Sequence, residues 1–482
     1  MVGEGAIIEY GAENWQVYQH RNRKADIRFG GIWKTHENRP IKSGTIKARL
    51  MSEANNTIVV NWAQKEVNND GTWDFTIKDA PAGGPYRIDI DFIVKYENDE
   101  VAFLRADSAF HLFVGEVFII AGQSNSSGSA RDSAPDMPEI GVSLFRNCNH
   151  WDIASQPIFD DNKAANEATA EHGYLFSPWL SAAKEYKRLT GLPVGLIQTA
   201  LGGSGLGHWN PKWDGEKAGC LYKNMLEVVK KSGTDPDWVL WYQGCSDTGP
   251  GARDVYLDKF KEVVEQWRND LHNDKLKFMT VQINRFAIDG NDDSDEGWGK
   301  IREAQRRAAE EISDLYVIPS TDISMSDGIH NNASGNTKLG MRAGKMCAEV
   351  DLGIHVNKAP NAKKAFYRDG KVIIEFDDLE SGIFMIDTRK EGNAFTVFDE
   401  EGAVPAAAPQ PYGKGVCLTL ERELKGKAVV HGIWQMNPIS YPPVDFDTYF
   451  PVLSFYGLPV EREDQAAKAT LTAKNRIKEQ LK

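Results

Sequence analysis

In GEVFIIAGQSNSSG, residues 115–128, five apolar residues from Val117 to Ala121 run straight into Gly122, Gln123, Ser124 and Asn125, with Ser126, Ser127 and Gly128 behind them. A short apolar run closed by a glycine reads as a strand buried on both faces, the kind that parallel sheets use. Open α/β sheets place their chemistry in the crevice outside the carboxyl ends of such strands. This stretch therefore sets the expected fold class and makes Ser124 a candidate nucleophile.

The residues that follow keep the same texture. Strands are expected at PVGLIQT (193–199), DWVLWY (237–242), KFMTVQI (277–283) and LYVIPS (315–320). Between and after them, Tyr256, Phe260, Val263, Val264, Trp267 and Leu271 keep helical spacing, as do Ile301, Ala304, Ala308 and Ile312, and then Leu339, Ala343, Met346 and Val350. Alternation of β and α predicts a parallel sheet with helices on both faces over residues 115–353. Both flanks differ. Residues 1–114 hold short strand-like runs such as TIKARL, NTIVVNW and GTWDFTI, with a PAGGP turn at 81–85, and predict a sandwich-like β domain. Residues 354–460 return to short strands (KVIIEF, AFTVF, GVCLTL) and predict a second β-rich domain, with Tyr441, Pro442 and Pro443 near its end. Residues 461–482 read as a charged helical tail.

Composition narrows the function classes. A length of 482 residues implies two to four domains at roughly 150 residues each. The formal charge of -13 is spread without long runs of one sign, which argues against nucleic acid as a partner. Five cysteines, at 148, 220, 245, 347 and 417, form no C-x-x-C pair, so no zinc site or dense disulfide framework is expected. No apolar run approaches the ~18 residues of a membrane span, and MVGEGAIIEYG lacks the features of a signal peptide. A soluble chain is expected, with no metal and no cofactor.

In a parallel sheet the polar residues after each strand gather on one edge. The first strand delivers Gln123, Ser124 and Asn125, and the second Gly202, Gly203 and Ser204. The third delivers Gln243, Gly244, Cys245, Ser246 and Asp247, and after the fifth comes SMSDGIH with Asp327 and His330. A serine becomes a nucleophile when a neutral imidazole accepts its proton, and the imidazole needs a carboxylate on its other nitrogen. His330 and Asp327 fit those roles. An oxyanion needs preorganised donors, for which the Ser124 N–H, the Gly203 N–H and the Gln243 amide are the candidates. Each item alone has a plainer reading. A serine in a polar turn is usually a loop residue, a lone D-x-x-H is usually a surface pair or a cap, and Trp209, Trp213, Trp238 and Trp241 fit a core as well as a sugar platform. GGSGLG at 202–207 fails the dinucleotide-loop spacing, because His208 stands where the third glycine belongs.

The order GEVFIIAGQSN, LGGS with Trp209, WYQG with Asp247, WGKIREAQR (298–306) and DGIH resembles the sialate O-acetylesterase-like branch of the SGNH (GDSL-type) hydrolases. That resemblance implies an SGNH-like three-layer α/β/α parallel sheet flanked by two smaller β-rich domains. It implies a metal-independent carbohydrate O-acetylesterase acting on an acetylated sugar, in a secreted or periplasmic setting. Ser124, Asp327 and His330 become the triad, Gly203 and Gln243 oxyanion contributors, and Gln123, Asn125, Trp209 and Cys245 substrate-side residues. Two acidic positions of the family pattern are occupied here by Gly207 or His208 and by Cys245. The alternative is a carbohydrate-binding protein whose esterase site has decayed.

Overall fold

The computed structural model describes residues 3–160, 165, 176–379, 381–384, 393–438 and 442–462. The site-bearing part of a twelve-stranded sheet runs through seven strands: β1 (Ala109–Gly122), β2 (Val142–Phe145), β3 (Trp151–Ile153), β4 (Val194–Gln198), β5 (Trp238–Tyr242), β6 (Lys277–Gln282) and β7 (Leu315–Pro319). Their order is β3-β2-β4-β1-β5-β6-β7, and every neighbouring pair is parallel except the edge pair β2/β3. The chain fills one side of β1 first, then crosses to the other at β5. The carboxyl end of β1 is thus the topological switch point, where a crevice opens between the outgoing loops.

The apolar run explains the position of β1. From Leu112 to Gly122 every residue is buried, so the strand needs cover on both faces. Phe118 stacks on Trp238 at 6.2 Å between ring centroids and meets Tyr186 edge-on at 5.1 Å. The helices are α1 (Ser124–Ser127), α2 (Trp179–Thr190), α3 (Leu206–Trp209), α4 (Cys220–Ser232), α5 (Ala252–Asp270), α6 (Asp292–Glu311) and α7 (Ala333–Leu352). Helices α2 and α7 pack together, α5 packs on α6, and α6 rests on β6 and β7. The three helices read from periodicity are α5, α6 and α7. Helices α2 and α4 were not anticipated. The buried face of α2 is diluted by Ser181, Ala182 and Ala183, whereas that of α4 (Leu221, Tyr222, Met225, Val228, Val229) has a regular helical spacing. Strands β2 and β3, of four and three residues, are too short to carry a period.

The first half of β1 continues this sheet into the N-terminal region. It pairs antiparallel with Gly83–Tyr96 and parallel with Val17–Gln19, whereas Glu116–Gly122 pairs with β4 and β5. The change of texture at Gly115 therefore falls inside one continuous strand. The N-terminal strands enclose a core of their own that includes Phe29, Trp73, Ile88 and Phe92. After α7, an eight-stranded sheet encloses a third core with Val372, Ile374, Val430 and Phe455. Its strand Phe455–Arg462 pairs with both Asn361–Arg368 and Ala428–Gly432, so 461 and 462 continue a strand. The rest of the expected helical tail, 463–482, and Tyr441 lie outside the described residues. Among the described residues no helix is long and apolar enough to cross a membrane.

If β1 is the keystone of this sheet, Phe118→Ala should cost about 3–5 kcal/mol, as expected for deleting a fully buried aromatic side chain. Chemical denaturation of the variant should show a correspondingly lower midpoint.

Candidate active site

Gly122 ends β1 at φ +118, and a Cβ there would sit 2.2 Å from the Tyr242 carbonyl oxygen. Only glycine lets β1 run this close to β5 and then turn sharply. Between Ala121 and Gly128 every residue is buried except Ser124. The serines that follow are consumed by the turn: Ser126 Oγ donates to Ala121 O at 2.8 Å, and Ser127 Oγ donates to Ser124 O at 3.2 Å. Ser124 Oγ instead lies 3.0 Å from His330 Nε2. The other ring nitrogen, Nδ1, lies 2.8 Å from Asp327 Oδ2. Asp327 Oδ1 also accepts the backbone N–H groups of Ile329 and His330, at 2.9 and 2.8 Å. The carboxylate thus folds the D-x-x-H loop as well as orienting the ring.

Burial opposes ionisation of Asp327, but the imidazole bond and the two backbone donors outweigh it and hold the carboxyl down to about 2. Arg131, exposed at the rim, adds an ion pair at 3.2 Å to the same Oδ2. With Asp327 an acceptor, Nδ1 carries the proton and Nε2 is left to accept from Ser124.

The residues on either side of Ser124 are pins. Gln123 Oε1 accepts the N–H groups of Gly244 at 3.0 Å and Ser246 at 3.3 Å. Asn125 donates to Ile329 O at 3.1 Å and accepts from Asn331 N at 3.0 Å, bracketing His330. Both side chains are buried. Their expected place on the substrate side is corrected: a buried amide must bond within the protein, and these two bond the neighbouring loops.

Gln243 is corrected for the same reason. It is fully buried, and its amide donates to Ser204 O at 3.1 Å and to the Asp247 carboxylate. Asp247 in turn accepts Leu206 N at 3.2 and 3.0 Å, anchoring the glycine loop. Burial raises the Asp247 pKa, against the pull of those bonds. Gln243 therefore seats the loop rather than pointing at an oxyanion. Trp209 is also corrected: with zero exposure it packs at 5.4 Å from Trp241 and 5.8 Å from Trp267, in the core under the site.

Among the described residues the backbone N–H groups of Ser124 and Gly203 donate to no protein acceptor. Gly203 is exposed, with Ser246 Oγ donating to its carbonyl at 3.3 Å. Gly207 lies under Trp213, where a Cβ would approach the indole at 3.0 Å, so the indole fills the room a longer side chain would need. Cys245 is half-buried in the pinned 244–246 loop. Burial pushes its thiol up to about 12. Among the described residues no group of three or more His, Cys, Asp or Glu is arranged to hold a metal ion.

With this geometry in view, residues 114–349 match the family model described as carbohydrate esterase, sialic acid-specific acetylesterase. That stretch of the chain is similar to the carbohydrate esterases. The whole chain is similar in fold to a carbohydrate acetylesterase from Xanthomonas citri, with a TM-score of 0.66 at 20% identity over 92% of this chain and 97% of that one. A protein of Arabidopsis thaliana aligns with 50% of this chain and 98% of its own, at 21% identity and a TM-score of 0.41. A family two carbohydrate esterase from Cellvibrio japonicus aligns with 71% and 97%, at 13% identity and 0.32.

Arg131, Asn284 and the loop-seating role of Asp247 had no signal in the sequence, because each acts across a large separation in the chain. Arg302 and Gln305 stood in WGKIREAQR without a task.

Two outcomes follow from the electrostatics of the site. Burial holds the Cys245 thiol protonated, so N-ethylmaleimide should label Cys245 far more slowly in the folded protein than after denaturation, by peptide mass spectrometry. Because the folded-state pKa of Asp327 is depressed to about 2, its stabilising contribution is present above the ordinary carboxylate value and drains away only as pH falls from ~4 towards 2. In Asp327→Asn, that part of the acid-unfolding slope should disappear.

Proposed function

We propose that this protein is a serine carbohydrate O-acetylesterase. Its catalytic domain would be an SGNH-type three-layer unit over 115–353, between β-rich domains at 1–114 and 354–460. The observation that carries the reading is the continuous chain Ser124 Oγ, His330 Nε2, His330 Nδ1 and Asp327 Oδ2, with links of 3.0 and 2.8 Å. The family description adds acetylated carbohydrate as the substrate class.

In this mechanism His330 takes the hydroxyl proton as Ser124 Oγ attacks the acetyl carbonyl, and Asp327 stabilises the resulting imidazolium. The oxyanion forms within reach of the uncommitted Ser124 and Gly203 N–H groups. Collapse breaks the bond to the sugar oxygen, which leaves with the proton from His330, and Ser124 is left acetylated. Water, deprotonated by His330, then attacks the acetyl group. Acetate departs, and the serine recovers its proton.

Turnover of p-nitrophenyl acetate tests the reaction class, and acetylated sialosides set against acetylated xylan fragments test the sugar. Ser124→Ala should fold normally and lose several orders of magnitude in kcat, and EDTA should leave the wild-type rate unchanged. A Ser124→Ala variant that keeps more than a few per cent of wild-type turnover would remove the nucleophile assignment. Sugar binding without any turnover would favour the binding-protein alternative.

A further inference from the structure

The WGKIREAQR segment lies on α6, and its arginine is placed unusually. Arg302 is fully buried, where a cation is costly unless its donors are satisfied. Its partners are all backbone carbonyls: Ile283 O at 3.0 Å, Asn284 O at 2.9 Å, Ile433 O at 3.1 Å, Trp434 O at 3.2 Å and Gln435 O at 2.6 Å. Burial pulls its pKa down to about 10, which still leaves it charged near neutrality. The planar fork of a guanidinium presents five N–H donors and can serve two chain segments at once, which an ammonium cannot do equally well.

The two segments are informative. Residues 283–284 are the chain leaving β6 on the site edge of the sheet, and 433–435 are the chain leaving strand Ala428–Gly432 of the C-terminal sheet. Just beyond the guanidinium, Phe286 N donates to Met436 O at 2.9 Å. The 283–288 segment faces the D-x-x-H loop as well. Asn284 Nδ2 donates to Asn331 Oδ1 at 2.8 Å and to Ile323 O at 3.2 Å, and Ala287 N donates to Gly328 O at 2.6 Å. Asn331 follows His330, and Gly328 follows Asp327. One turn along α6, Gln305 accepts Ile283 N at 2.9 Å and donates to Gln243 O at 2.8 Å, joining the ends of β6 and β5.

We infer that Arg302 is a positioning residue of the esterase site: it clamps the C-terminal β region onto the end of β6, and the 283–288 segment so held keeps Asp327 and His330 in register with Ser124. The inference rests on the esterase reading above. It also gives the C-terminal region a part in catalysis, since the 433–436 segment completes the support of the triad loop.

The test uses the full-length protein with Arg302→Met, Arg302→Lys and Asn284→Ala. It combines p-nitrophenyl acetate kinetics with hydrogen-exchange mass spectrometry of peptides covering 325–332. A displacement of about 1 Å at a reacting group can cost on the order of a hundredfold. Arg302→Met should therefore lose about that factor in kcat with KM changed by less than about twofold, and Arg302→Lys should recover part of it. Exchange at 325–332 should quicken while peptides within 45–60 stay unchanged. If Arg302→Met does not fold, Asn284→Ala, which leaves the Arg302 clamp in place and removes the side-chain bonds to Asn331 and Ile323, should still lower kcat by about tenfold. Folded variants that keep wild-type kcat and wild-type exchange at 325–332 would overturn the inference. A wild type without turnover would instead overturn the esterase reading, and the exchange data would still decide whether Arg302 holds the loop.

Discussion

The arrangement depends on one constraint, which is that the polar residues at the end of a fully buried strand must find their hydrogen bonds inside the protein. Strand β1 enters the site with no water on either face, so Gln123 and Asn125 cannot be solvated, and each takes a neighbouring loop as its partner. Gln123 holds the backbone at 244 and 246, and Asn125 holds it at 329 and 331. Ser124 stands between two such pins, half-buried, with the His330 imidazole delivered to it by one of them. The same side chains that satisfy the buried backbone also set the geometry that the chemistry requires.

A second layer supports the first. Gln243 and Asp247 seat the glycine loop, and Gln305 and Arg302 tie the ends of β5 and β6 to each other and to the C-terminal sheet. The polar groups in this layer are buried amides, a carboxylate and a guanidinium, and all of them bond to backbone. The backbone carbonyls that accept from Arg302, Gln243 and Gln305 do not titrate, so this part of the frame does not depend on the charge of its acceptors.

The departures from the family pattern also have physical readings. Trp213 lies over Gly207 and fills the space beside the glycine loop. Cys245 puts a neutral thiol, kept protonated by burial, where the pattern has an acid. Both changes make that side of the site less acidic, and they leave the Ser124, His330 and Asp327 contacts in place.

Much of this was legible in the sequence. The run from Val117 to Ala121, the helical spacing in α5, α6 and α7, and the polar clusters after each strand were enough to expect a parallel sheet with Ser124, Asp327 and His330 on one edge. These features are local, governed by burial and period within one segment. What the tertiary structure alone decided was the direction of each polar side chain. Gln123, Asn125 and Gln243 stand beside Ser124 in sequence or in the sheet, yet their amides face the loops, and Trp209 faces the core. Whether a side chain next to a site meets solvent or backbone depends on what packs against it from distant parts of the chain, and spacing along the chain carries no record of that.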